Sequence, residues 1–345
     1  MNKQSSILVT GGTGLVGAYL LQYLVHQGFS NIKAIKRSTS NMDLVASFGA
    51  QITWLEGDVL DMFFLEDALE NVEFVFHCAA MVSFVPSLAS TMMHTNVEGT
   101  ANVVNACLLA NVKKLVHVSS IASLGRSKAS AQSQLIDEKS KFQDNTHYSQ
   151  YALSKYLSEQ EVWRGSAEGL DVAIVNPSIV LGSGSWNQSS TALFKTVWNG
   201  LKYYPIGSTG FVDVRDVARF MVQLMQSDII EERYVLNGQS LSYKDYFSLV
   251  ATAIGKEKPT ILIKPWLNGL VWRFEWLRAK IMGRVPMVTC ETAQSSAEIV
   301  AYDNQKSLAA FDFSYTNIQE TIEATGKDFK VATTNDWKPK MLPIL

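Results

Sequence analysis

The sequence predicts an α/β fold: a doubly wound parallel sheet with helices on both faces, joined to a smaller, mostly helical, discontinuous second domain. Three observations predict it. Short β-branched runs alternate with helix-period stretches through the first half of the chain. A glycine-rich turn, TGGTGLVG, separates the first apolar run from the first helical stretch. After Pro177 the alternation stops, and the chain becomes rich in Gly, Ser and Trp.

In chain order, residues 7–10, 32–36, 52–55, 74–77, 115–119 and 172–175 read as strands. Residues 15–27, 63–69, 95–110 and 148–164 read as helices between them. In such a fold a ligand sits beyond the carboxyl ends of the strands, where the strand order reverses. Residues 181–211 read as a loop with one helix. Residues 211–225 (FVDVRDVARFMVQLM) read as a short strand and a helix, with Asp213 or Asp216 near the helix start. The remainder, from about 240 to 345, reads as mostly helical and contains PWLNGLVWRFEWLRAKIMG. The expected division is a nucleotide-binding domain of residues 1–180 plus about 211–240, and a substrate-binding domain of about 181–210 plus 241–345.

Composition narrows the function classes. The 345 residues are 47% apolar and 18% charged, as in an ordinary globular protein. A net charge of -2 gives no reason to expect nucleic acid or an acidic membrane as partner. Cys78, Cys107 and Cys290 are odd in number and lack metal-ligand spacing, so reduced thiols, a cytoplasmic location and no metal are expected. Lys3 leads straight into a strand-like run. No signal peptide and no apolar stretch of roughly 20 residues stands out, so no membrane span is expected.

The glycines have a chemical reading. Gly11 makes a tight turn, Gly14 lets backbone approach a pyrophosphate, and Gly17 lets helix pack on strand. The stretch Gly11, Thr13, Gly14, Leu15, Val16, Gly17 is therefore a candidate phosphate cradle, with free N–H groups at the helix start. A chain that takes NAD usually ends its second strand on an acid; this one ends on Lys36 and Arg37. NADP(H) is therefore expected over NAD(H), with Arg37 on the 2′-phosphate because guanidinium matches phosphate geometry. Asp58, with Val59 after it, is placed to accept from the adenine amino group. Ala79 and Ala80 are small enough for ribose or nicotinamide to approach. His77 reads as a satisfied strand-end histidine rather than a catalyst.

YALSK puts Tyr151 and Lys155 four apart on one helix face. A phenol is a poor acid–base group near neutrality, and a neighbouring ammonium lowers its pKa and can grip a ribose. Ser119 and Ser120 end a strand about 30 residues earlier, where a hydroxyl can bond a substrate oxygen. Ser, Tyr and Lys together make a proton-transfer site beside a hydride carrier.

These pieces, with HCAA, TNVEGT, NPSIVLG and FVDVRDVA, fall in an order that resembles the extended short-chain dehydrogenase/reductase superfamily over roughly residues 5–220. The resemblance implies a Rossmann fold. It implies Tyr151 as general acid/base, Lys155 as its activator and ribose anchor, and a serine as carbonyl ligand, Ser120 fitting best and Ser119 next. It also implies Asn96 as a support of the site, Pro177 and Ser178 along the nicotinamide, and a homodimer paired through the helices near 95–110 and 148–164. The end of the second strand looks most like the dihydroflavonol-reductase and 3β-hydroxysteroid-dehydrogenase branch. The expected activity is NADP(H)-dependent reduction of an apolar or aromatic carbonyl, or oxidation of the matching alcohol. A sugar-nucleotide epimerase with bound NAD and a non-catalytic dinucleotide sensor are the alternatives. Trp186, Trp198, Tyr203 and Tyr204 line a substrate wall or fill the core; Trp266, Trp272 and Trp276 face lipid or pack against the small domain.

Overall fold

The computed structural model describes residues 1–125, 134–142, 148–264, 272–273 and 289–344. The first strands are β1 (Ile7–Thr10), β2 (Ile32–Lys36), β3 (Thr53–Glu56), β4 (Phe74–His77), β5 (Lys114–Val118) and β6 (Gln134–Ile136). They are followed by β7 (Val172–Pro177), β8 (Ile179–Leu181), β9 (Tyr203–Tyr204), β10 (Ser208–Asp213), β11 (Glu232–Leu236), β12 (Gln239–Ser242), β13 (Ile261–Leu262) and β14 (Val300–Tyr302). Seven of them form one parallel sheet in the order β11-β7-β5-β4-β1-β2-β3. The chain runs outward from β1 to β3, then returns to β4 and runs outward the other way. The reversal point lies between β1 and β4, where Gly11 and Cys78–Ala80 follow the two strands.

Strand side chains alternate between two cores, as a sheet covered on both faces requires. Ile7, Val9, Phe74, Phe76, Val116, Ala173 and Val175 enter one cluster with α1 (Leu15–His26) and the Val214–Gln226 helix. Leu8, Val75, Leu115, Val172 and Ile174 enter the other, with α2 (Met62–Ala68), α4 (Gly99–Leu109) and α5 (Gln150–Ala167). A short α3 (Ala89–Met93) precedes α4. Between them residues 94–98 form a π turn, where the sequence predicts plain helix. α5 starts two residues later than predicted because Ser149 caps it, accepting from the Ala152 N–H at 3.0 Å.

Short strands add to the loop with one helix expected over 181–211 and to the mostly helical end. β8 and β10 pair in parallel, β12 joins β10 antiparallel, and β13·β9 and β14·β6 are small parallel pairs. These strands are short and bond to distant segments, so no local period reveals them. Next to them α6 (Ala192–Trp198), α8 (Tyr243–Ile254) and the helix Ile318–Thr333 enclose a third apolar cluster. Trp186, 1% exposed, sits inside it against Phe194 and Phe329, so this tryptophan is core. Trp198 packs on its edge, and Tyr203 is half exposed. Trp266, Trp276 and most of the segment around them lie outside the described residues. No helix among the described residues is long and apolar enough to cross a membrane.

Candidate active site

Gly11 has φ +65°, and a Cβ there would sit 2.7 Å from the Ala79 nitrogen. A Cβ on Gly17 would sit 2.3 Å from the Gly11 carbonyl oxygen. Both are therefore fixed by the turn itself. Gly14 differs. It is exposed, and a Cβ there meets only the Gly11 oxygen, at 3.3 Å. It caps α1 without a side-chain acceptor, and the first turn carries no acid. The first N–H groups of the helix, from Leu15, Val16 and Gly17, with Thr13 beside them, thus lack helical acceptors and carry positive helix-end potential. This cradle fits a pyrophosphate. Alongside it, the Ala79 N–H donates to the Thr10 hydroxyl at 3.1 Å, and Ala80 is exposed.

At the end of β2 the two cations separate in role. Lys36 is ion-paired with Glu56 at 2.6 Å across β3. Arg37 is exposed, its guanidinium has no partner within the described residues, and its backbone N–H is held by the Ser40 hydroxyl at 3.0 Å. Asp58 accepts from the Leu60 N–H at 3.0 Å, which turns the chain after β3. Val59 is buried, and its carbonyl receives Asn102.

Tyr151 and Lys155 lie on α5, which crosses the ends of β5 and β7. The Tyr151 hydroxyl is hydrogen-bonded to Ser120, whose oxygen also accepts the Ala122 N–H at 3.1 Å. Ser119 points away, into a buried bond with Ser123. The structure thus brings together Ser120, not Ser119, with Tyr151. Burial pushes the phenol above its ordinary pKa of 10, and the Ser120 hydrogen bond opposes this. The expected lowering by Lys155 is not the dominant effect, because the ammonium is drawn to the Val118 carbonyl at 2.8 Å. Lys155 is 2% exposed, and burial pushes it down to about 8.

Asn96 sits in the π turn, a feature often found where helices carry functional residues. Its amide accepts from Met81 N–H at 2.7 Å and donates to Met81 O and to Ser154 on α5, both at 2.9 Å. It thus ties the strand-end segment after β4 to the Tyr151 helix. On that segment Phe84 meets the Tyr151 ring edge-on, with centroids 5.7 Å apart, and Val82 is exposed nearby. Pro177 ends β7 and Ser178 follows, its buried hydroxyl without a partner among the described residues. His77 bridges Thr10 at 2.7 Å and Thr100 at 3.0 Å. Thr100 gives its hydrogen to the Asn96 carbonyl, so His77 Nε2 donates and Nδ1 accepts from Thr10. Burial first, and the charge of Lys155 second, push His77 down to about 3. It is a neutral structural residue.

Sequence reasoning missed a buried polar group behind α5. Glu159, fully buried, accepts from Ser123 and Asn176, both at 2.5 Å, and pairs with Arg233 at 3.0 Å. Its spacing of four from Lys155 was visible in the sequence, but its burial was not.

Residues 7–236 match the NAD-dependent epimerase/dehydratase family. The chain is 28% identical over 329 residues to a Synechocystis sp. protein named as a dihydroflavonol 4-reductase, covering 91% of both chains. It is 30% identical over 264 residues to sterol demethylase protein B of Methylococcus capsulatus, covering 75% of this chain and 78% of that one. The crystal structure of gox2253 superposes with a TM-score of 0.78 at 29% identity, covering 93% and 96% of the two chains. A nucleotide cradle at the sheet's reversal point, a hydroxyl pair on α5 and the Ser120 turn, and this full-length likeness agree: the chain belongs to the NAD-dependent epimerase/dehydratase family, as an NAD(P)-dependent oxidoreductase of the extended short-chain dehydrogenase/reductase type.

Proposed function

We propose that the protein is an NADP(H)-dependent reductase of an apolar or aromatic aldehyde or ketone, working in reverse on the matching alcohol. The observation that carries this reading is the Ser120–Tyr151 hydroxyl pair with Lys155 one turn further along α5. A nicotinamide bound beside it supplies the hydride. Tyr151 gives its proton to the carbonyl oxygen as that oxygen gains negative charge, and Ser120 donates a second hydrogen bond to the same atom. A phenol held above its usual pKa is protonated at neutral pH, the form that reduction requires. Lys155 stabilises the phenolate left behind, and its ammonium is close enough to neutrality to pass on a proton.

The choice of NADP(H) is supported by the unpaired Arg37 beside a Lys36 already neutralised by Glu56. An apolar substrate is supported by Phe84 against the Tyr151 ring, with Val82 exposed on the same segment. The names of the two relatives, a dihydroflavonol 4-reductase and sterol demethylase protein B, also denote fused-ring compounds.

The test is oxidation of NADPH and of NADH by purified protein against a panel of aromatic and steroid ketones and aldehydes. Turnover with NADPH preferred is expected. Tyr151→Phe should lower kcat by about 100-fold or more, as loss of a positioned proton donor does, while NADPH binding is retained. Wild-type turnover in that variant would end the mechanism.

A further inference from the structure

The buried carboxylate of Glu159, on the Tyr151 helix, joins the Ser120 turn to the end of β7. It lies on α5, one turn after Lys155 and two after Tyr151. One oxygen receives the Ser123 hydroxyl, which lies 2.7 Å from the Ser120 carbonyl oxygen and accepts from Ser119 at 3.3 Å. The same oxygen receives Asn176 Nδ2, which also reaches Ser123 at 3.0 Å and the Ser120 carbonyl at 3.2 Å. Asn176 immediately precedes Pro177 and Ser178 on β7. The other oxygen pairs with Arg233 of β11, whose Nε and Nη2 donate to the Glu138 carbonyl.

A carboxylate with no exposure is costly unless its charge is met and its lone pairs are used. Here both conditions hold, and the partners are those nearest the reacting groups. The charged groups facing Glu159 are Lys155 on its own helix, Arg233 on β11 and, behind Arg233, Glu138; Ser123 and Asn176 are neutral. Its attraction favours the ammonium of Lys155 against the burial that opposes it.

We propose that Glu159 is a positioning residue, which sets where Ser120 stands relative to Tyr151 and places a negative charge one turn from Lys155 on the same helix. The kinetic part of this proposal rests on the reductase reading above; the electrostatic part does not. In Glu159→Gln the amide oxygen still receives Ser123 or Asn176, but the charge is gone.

The test is a titration of the Lys155 side chain by NMR in lysine-labelled protein, with Lys155→Met to assign the signal, beside steady-state kinetics with NADPH. In Glu159→Gln the Lys155 midpoint is expected to fall by about one pH unit or more, as loss of a nearby opposite charge requires. The alkaline decline of kcat/KM then moves to lower pH. kcat falls about 10- to 100-fold, the cost of a small displacement of reacting groups, with KM for NADPH unchanged. A merely structural role would lower stability and leave the midpoint in place, and that result overturns the proposal. Ser123→Ala keeps the buried ion pair, so it serves even if Glu159→Gln fails to fold. It should lower kcat without moving the Lys155 midpoint, and wild-type kcat there removes the positioning role. If the wild-type enzyme reduces no carbonyl while the midpoint still falls in Glu159→Gln, the reductase reading fails and the electrostatic role of Glu159 stands.

Discussion

His77 and His117 occupy paired positions on β4 and β5, with ring centroids 5.1 Å apart and both side chains buried. His77 has both nitrogens bonded, whereas His117 has neither bonded among the described residues. Burial holds both neutral, so the unfolded chain binds protons that the folded one does not. Stability from this source is present above the ordinary histidine value of about 6.5 and is lost as pH falls through it. His117→Leu removes an unmatched polar group and should cost little or even stabilise. It should also shrink the loss of unfolding free energy between pH 7 and pH 5 by about 2 kcal/mol, because one such group no longer titrates. His77→Leu leaves the Thr10 and Thr100 hydroxyls without their ring and should cost about 1–3 kcal/mol. Urea unfolding at the two pH values checks both, and equal costs for the two variants would refute the distinction. Arg37 is tested at the same scale. Arg37→Ser should raise KM for NADPH about 10- to 100-fold, the worth of a charge-assisted contact, and leave KM for NADH unchanged. An equal rise for both cofactors would show that Arg37 does not read the 2′-phosphate.

The βα turn shows how an element divides its work between folding and binding. Gly17→Ala puts a methyl carbon against the Gly11 carbonyl and should destabilise by about 1–3 kcal/mol, read as a lower melting temperature. Gly14→Ala meets only a contact at 3.3 Å and has negative φ, so the melting temperature should hold while NADPH binding weakens. Weakened stability in Gly14→Ala would return that glycine to a folding role. This turn was legible in the sequence because its constraint is local: glycine spacing, a strand before it and a helix after it. The parallel strands and the helices between them were legible for the same reason, since each βαβ unit carries its own period. Ser120 was legible only as one of two neighbours. The choice between them depends on which hydroxyl faces α5 and which faces Ser123, and that is set by packing across three elements. β9, β13 and β14 were illegible, being two or three residues long and bonded to partners more than fifty residues away. Glu159 and Arg233 stayed hidden because a charge in a polar-looking helix or an edge strand reads as solvated until the neighbouring turn is laid over it.

At the scale of the whole molecule, a buried acid helps to bind the end of β10 to the C-terminal region. Asp213 ends β10 and caps the Val214–Gln226 helix, accepting from the Arg215 N–H at 2.8 Å. Its carboxylate pairs with the Arg215 guanidinium at 2.6 Å and accepts from Thr321 at 2.8 Å on the helix Ile318–Thr333. That helix closes the third apolar cluster, with Ile318, Ile322 and Phe329 inward. The capped helix meanwhile packs along α1, the helix of the phosphate cradle. Asp213 has no exposure and Arg215 little, so removing the acid strands a guanidinium. Breaking one side of such a pair costs about 3–5 kcal/mol, far more than an exposed ion pair is worth. Asp213→Ala should therefore lower the free energy of unfolding, measured in urea, by that amount. NADPH affinity of the folded fraction should stay unchanged, since Asp213 touches none of the proposed cofactor residues. A loss below about 1 kcal/mol would mean that Arg215 finds water and the Pro343 carbonyl as adequate substitutes. The join between the end of β10 and the C-terminal helix would then rest on the apolar cluster and on Asp216, which accepts from the Thr316 N–H at 2.7 Å.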